Sequence, residues 1–138
     1  FGAVFFLPAW RADDPRTGAP VDFLTWAPPG ITAELRELLV PGDRVFNPQE
    51  WGSWFEYEFP EALFAMDARI ELYPEAIWDE FEGVEQGRKG WEDRLREWGV
   101  TVAVVPERNP DLLDRLAELG WRSVYTDKDG SIALAPGR

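Results

Sequence analysis

Residues 100–135 read VTVAVVPERNPDLLDRLAELGWRSVYTDKDGSIALA, and this stretch decides the fold. Val100 to Val105 is a β-branched run of strand length. Asn109-Pro110 is a helix start, because an Asn side chain caps orphan amides and Pro fits the first helical position. Leu112, Leu113, Leu116 and Leu119 then recur at helical spacing before Gly120 closes the helix. Trp121 to Thr126 and Ser131 to Ala135 flank Asp127-Lys-Asp-Gly130, a turn sequence between two strands, which predicts a terminal hairpin. A strand, a helix and a hairpin in succession predict an α/β domain.

Upstream the alternation continues. Ile31, Leu35, Leu38 and Leu39 predict a helix with Thr32 as its cap, stopped by Pro41-Gly42, and Arg44 to Asn47 reads as a short strand. Trp51, Trp54, Phe55 and Phe59 share one face of a helix over 48–59. Leu63 to Met66 is a continuous apolar run, expected as a strand covered on both faces. Ile77, Phe81 and Val84 mark a further helix, and after the turn Gly87-Arg-Lys-Gly90 another carries Trp91, Leu95 and Trp98. The expected architecture is a mostly parallel sheet with helices on its faces and a C-terminal antiparallel β-hairpin, in one domain over 31–138. Residues 11–30 hold Pro15, Pro20, Pro28, Pro29, Gly18 and Gly30 and read as a linker or strap. Residues 1–10 are an apolar stub that reaches about 15 Å as a helix, half of a bilayer core of roughly 30 Å. With Trp10 beside Arg11 it reads either as the outer end of a spanning helix or as a buried first strand.

Composition narrows the chemistry. The 138 residues are 45% hydrophobic and 29% charged, enough for a single core. The absence of Cys and His excludes disulfides, thiolate or imidazole metal sites and His-based catalysis, and no cofactor fingerprint or EF-hand spacing is present. No residue is assigned a catalytic role. The net charge of −12 argues against nucleic acid as a partner.

The acidity is concentrated along the chain: residues 47–100 carry 14 acidic and 5 basic side chains. Between Glu50 and Glu82 the lone base is Arg69, and aromatic residues are interleaved with the acids. Rings beside carboxylates suit a carbohydrate, whose CH faces stack and whose hydroxyls donate; equally, the rings at helical spacing form core and the acids a solvated face. Trp51, Gly52 and Trp54 are the ligand candidates in the tryptophan-rich helix. Asp67 and Arg69 follow a predicted parallel strand, where open α/β sheets place their crevices, and an internal ion pair is the alternative. Arg88 and Lys89 precede a helix and are phosphate candidates, although no Gly-rich loop accompanies them.

Taken together, Gly42-Asp-Arg-Val-Phe-Asn47, Glu50-Trp-Gly-Ser-Trp54, Phe64-Ala-Met-Asp-Ala-Arg69, Trp98-Gly-Val-Thr-Val-Ala-Val-Val105 and Gly120-Trp-Arg-Ser-Val-Tyr-Thr-Asp127 resemble a bacterial pattern. Over residues 28–136 the chain resembles the C-terminal soluble domain of polytopic membrane proteins related to C-type glycosyltransferases, the mannosyltransferase-like superfamily that uses polyprenyl-phosphate sugars. The resemblance implies transmembrane helices upstream of Phe1, a location on the extracytoplasmic side of the cell membrane, and catalytic carboxylates in the upstream loops. This domain is then non-catalytic alone and contributes to an acceptor- or donor-side crevice, with a glycan or a polyprenyl-phosphate sugar as its ligand. The alternative is a free-standing carbohydrate-binding or protein-interaction domain with an acidic aromatic surface.

Overall fold

The computed structural model describes residues 27–65 and 74–138. The apolar stub, most of the Pro-rich strap, and Asp67 and Arg69 lie outside the described residues.

Along the chain the elements are α1 (Pro29–Leu38), β1 (Arg44–Phe46), α2 (Gln49–Glu58), β2 (Leu63–Phe64), α3 (Glu75–Glu85), α4 (Trp91–Glu97), β3 (Val102–Pro106), α5 (Pro110–Glu118), β4 (Arg122–Thr126) and β5 (Gly130–Leu134). They form a five-stranded sheet in the order β2-β1-β3-β5-β4. Alternation along the strands sorts the core into two layers. Val45, Val102, Val104, Ile132 and Leu134 face α1 and α2, where Ile31, Leu35, Trp51 and Phe55 are buried. Phe46, Ala103 and Val105 face α3, α4 and α5 through Phe81, Val84, Trp91, Leu95, Leu112 and Leu116. The chain thus leaves β1 with α2 on one face to reach β2, then crosses back over β1 with α3 and α4 on the other face to reach β3.

The expectation of a mostly parallel sheet is overturned. Only β1/β2 and β1/β3 are parallel, each with two registered residue pairs, whereas the antiparallel β3/β5 and β4/β5 ladders carry five and four. The cause is the placement of β5. After α5 carries the chain past β3 to β4, the hairpin returns β5 into the gap between them, so its long ladders dominate the sheet. Gly130 permits this approach: a Cβ there would overlap the Val105 carbonyl oxygen. Asp127 shapes the turn by accepting from the amides of Asp129 (2.8 Å) and Gly130 (3.3 Å).

Two local expectations also change. Leu63 and Phe64 form an edge strand with Leu63 58% exposed, because β2 is outermost and only β1 pairs with it, so this apolar run is not covered on both faces. Thr32 sits inside α1, where its hydroxyl donates to the Pro28 carbonyl at 2.6 Å, and does not cap the helix. By contrast Asn109 caps α5 as expected, its side chain accepting from the Leu112 amide.

A buried clasp ties the amino ends of β1 and β3 together. Asp43, only 3% exposed, accepts from the Val40 amide, the Thr101 hydroxyl and both Nε and Nη2 of Arg138 at 2.8–2.9 Å. Burial alone would raise its pKa, but the Arg138, Val40 and Thr101 hydrogen bonds outweigh burial and hold the carboxyl below its ordinary value. Arg138 also donates to the Leu38 carbonyl, joining the end of α1 to the clasp.

Candidate functional site

Open sheets with parallel neighbours bind ligands beyond the carboxyl ends of their strands, where successive connections diverge to opposite faces. Here that place lies between β1 and β3, since α2 leaves β1 on one face and α5 follows β3 on the other. The chain emerging from β1 runs through Asn47 and Pro48 into α2, and the chain emerging from β3 runs through Glu107, Arg108 and Asn109 into α5. The Arg108 guanidinium forms an ion pair with the Glu50 carboxylate, bridging the two connections.

Beside that bridge is a polar cleft of about 420 Å³ lined by Glu85, Gln86, Arg108, Asn109, Asp111 and Arg115. Its wall is fixed through the backbone: the Glu85 carbonyl, at the end of α3, accepts from Asn109 Nδ2 at 3.1 Å and Arg115 Nη2 at 2.9 Å. Asn109 therefore both caps α5 and joins it to α3. The Arg115 guanidinium lies over the Trp91 ring, 5.9 Å from its centroid, and packs against Gly87, where a side chain would collide with it. Burial raises the pKa of the Glu85 carboxyl; Arg108 offsets part of the rise, and Glu50 and Glu82 add to it. A carboxylate held in a cleft at an energetic cost is a recurrent feature of functional sites.

The residues singled out from the sequence are placed differently. Trp51 is 8% exposed, its ring edge-on to Phe55 in the core, and Gly52 is buried. Trp54 is half-buried; its indole donates to the Thr32 hydroxyl at 2.8 Å and its ring leans on Tyr57. These side chains thus hold α2 to the sheet and to α1. Asp67 and Arg69 lie outside the described residues. Arg88 is occupied by Asp79 (2.9 Å) and Gln86 (3.1 Å), with Glu82 at 3.6 Å, and Lys89 is exposed beside it. The helix that follows has Glu92 and Asp93 in its first turn, which disfavours an anion there.

The acidic stretch also changes character in space. Glu50 pairs with Arg108, Glu58 with Arg36, Asp79 and Glu82 with Arg88, and Glu80 with Arg94, so bases from outside the stretch neutralise much of it. A second cleft, lined by Val45, Leu63, Phe64, Phe81 and Trp98 together with the charged Arg44 and Glu97, is mainly apolar and lies over the β1/β2 side of the sheet. Among the described residues no cluster of acidic side chains could hold a metal ion, and no helix is long and apolar enough to cross a membrane.

The polar cleft is not legible in the sequence, because its residues read as punctuation between elements. Asn109 registers only as a cap, and Arg108 carries no local signal of its own. The available signal was that both follow the strongest strand at its carboxyl end.

Fold and cleft together define an open-sheet mixed α/β domain with a polar crevice at the point where its connections diverge. No family model, curated protein or solved structure matches the chain.

Proposed function

We propose that this chain is a non-catalytic extracytoplasmic domain of a membrane protein related to the C-type glycosyltransferases, and that its crevice faces the acceptor or donor of that protein's reaction. The sequence resemblance over residues 28–136 supports the membrane context. One structural observation carries the ligand-binding role. Polar side chains from α2, α3, the β3–α5 connection and α5 converge beyond the carboxyl ends of β1 and β3. Carboxylates there accept hydrogen bonds from hydroxyls, while the guanidinium and amide groups donate them. Such groups recognise and orient a ligand; the bond-making chemistry belongs to carboxylates elsewhere in the protein.

The full-length gene product tests this reading. Hydrophobic helices encoded upstream of Phe1, a membrane-associated product, and cleavage of this domain by protease added from outside the cell are expected. An open reading frame without such helices, or a domain shielded from external protease in intact cells and cleaved only after lysis, would overturn it.

A further inference from the structure

The cleft over β1 and β2 is open because the helical layer stops short of the edge strand. Phe46 packs against Phe81 and Trp98, with ring centroids 5.0 and 6.3 Å apart, but beyond them Leu63 is 58% exposed and Ile77 37% exposed. Both line the cleft, together with Phe64 and Trp98. Arg44 is registered with Leu63 across the parallel β1/β2 pair, so it stands on the same face among these apolar side chains. Its stem lies along Gly99, and Nη1 donates to the Trp98 carbonyl at 3.2 Å, which holds the guanidinium in place and leaves its other donors uncommitted. Among the described residues it pairs with no carboxylate: Glu97, which lines the same cleft, is taken by Arg94 at 2.6 Å. The chain has a net charge of −12, and Arg36, Arg88, Arg94, Arg96, Arg108 and Arg138 each pair with an acid. An arginine left open beside apolar surface in such a chain is a charge without its complement.

We propose that this cleft binds a small monocarboxylate with an apolar body, the carboxylate on the Arg44 guanidinium and the body between Leu63, Phe64, Ile77 and Trp98. A planar carboxylate matches the guanidinium fork with two hydrogen bonds, and one cation balances one negative charge. A phosphate dianion would bring an uncompensated charge beside Glu97. The volume of about 300 Å³ lies at the small end of ligand pockets. β2 offers only two residues of edge, too short a ladder to hold an extended peptide by strand addition, which favours a small amphiphile over a protein segment. This cleft shares no lining residue with the polar crevice, so either site stands without the other.

The test is amide chemical-shift titration of the chain with submicellar octanoate, octanol, octyl phosphate, octyltrimethylammonium and acetate. Octanoate is expected to shift the amides of Arg44, Leu63, Phe64, Ala65, Ile77 and Trp98 and to bind about tenfold tighter than octanol, the equivalent of one charge-assisted hydrogen bond. Octyl phosphate is expected to bind no tighter than octanoate, and acetate to be silent. Arg44→Gln should remove the preference for octanoate and leave octanol binding as it was. Leu63→Ser, at a position exposed enough to change without opening the core, should weaken both. Equal affinity for octanoate and octanol in the unmodified chain, or a preference that survives Arg44→Gln, would overturn the role of Arg44. Tighter binding of octyl phosphate or of the octyl cation would overturn the carboxylate class, and no shift at these residues from any octyl probe would overturn the site.

Discussion

Replacing Asp43 by alanine removes the acceptor that ties the amino ends of β1 and β3, the two strands whose carboxyl ends build the crevice. These strands share only two registered residue pairs, with the Thr101 amide donating to the Arg44 carbonyl beside them, and the clasp adds to what fixes their relative position. Four hydrogen bonds are lost at once, from Val40, Thr101 and twice from Arg138. Removing one member of a buried ion pair costs about 3–5 kcal/mol. Arg138 is 25% exposed and keeps its bond to the Leu38 carbonyl, so the freed guanidinium retains access to water and the lower end applies. About 3 kcal/mol, or roughly 12 °C in Tm for a chain of this size, is the expected loss at pH 7.

The dependence on pH has a definite sign. Because the folded-state pKa is depressed, the stabilisation from Asp43 is present above the unfolded value of about 3.9 and is lost as the pH falls through the lower folded value. Urea unfolding of the wild type, Asp43→Ala, Arg138→Ala and the double variant, at pH 7 and again near pH 3, measures all of this. A coupling of about 1–2 kcal/mol between the two sites at pH 7 is expected. A loss below about 1 kcal/mol for Asp43→Ala, or a variant whose acid sensitivity equals that of the wild type, would refute the clasp.

The remaining expectations concern the hairpin and the crevice wall. Gly130→Ala drives a Cβ into the Val105 carbonyl and should cost about 3 kcal/mol, whereas Gly42→Ala meets open space and should cost only about 1 kcal/mol for its positive φ; paired thermal melts give the comparison. Asn109→Ala loses both the cap of α5 and the bond to the Glu85 carbonyl, for about 1–2 kcal/mol by urea titration, with faster amide exchange in the first turn of α5. Arg108→Gln breaks an exposed ion pair and should change stability by less than about 1 kcal/mol, an effect that disappears in high salt.

Local sequence patterns located the elements because they report which residues face a core. The Leu112 and Leu116 stripe, the Asn109 cap and the Asp127 turn stand where the sequence predicts them, and the strand expected over Val100 to Val105 runs from Val102 to Pro106. Periodicity is silent, however, on which edge a strand pairs with. Nothing in Ser131 to Leu134 says that β5 inserts between β3 and β4, and that one placement turns the expected parallel sheet mainly antiparallel. For the same reason Leu63 and Phe64 looked central and lie at the edge.

The site was less legible than the fold. A charge run counted along the chain omits partners that arrive from elsewhere, as Arg108 does for Glu50 and Arg94 for Glu80. Tryptophans at helical spacing read as ligand platforms in the sequence, yet Trp51 lies in the core and Trp54 is tied to Thr32. The crevice is assembled from the ends of four elements, and only the topology brings Glu50, Glu85 and Arg108 together.

Glu85→Gln tests the crevice most directly, because a residue kept for binding at the expense of stability should separate the two properties. Burial raises the folded-state pKa of Glu85, so the folded chain prefers the neutral form and its contribution to stability falls as the pH rises through that value. The glutamine variant should therefore unfold at a higher urea concentration than the wild type at pH 7, while losing the amide shifts that a saccharide acceptor or sugar-phosphate donor is expected to induce at Arg108, Asn109 and Asp111. A variant that is less stable, or one that keeps those shifts unchanged, would contradict the assignment of this crevice as the ligand site.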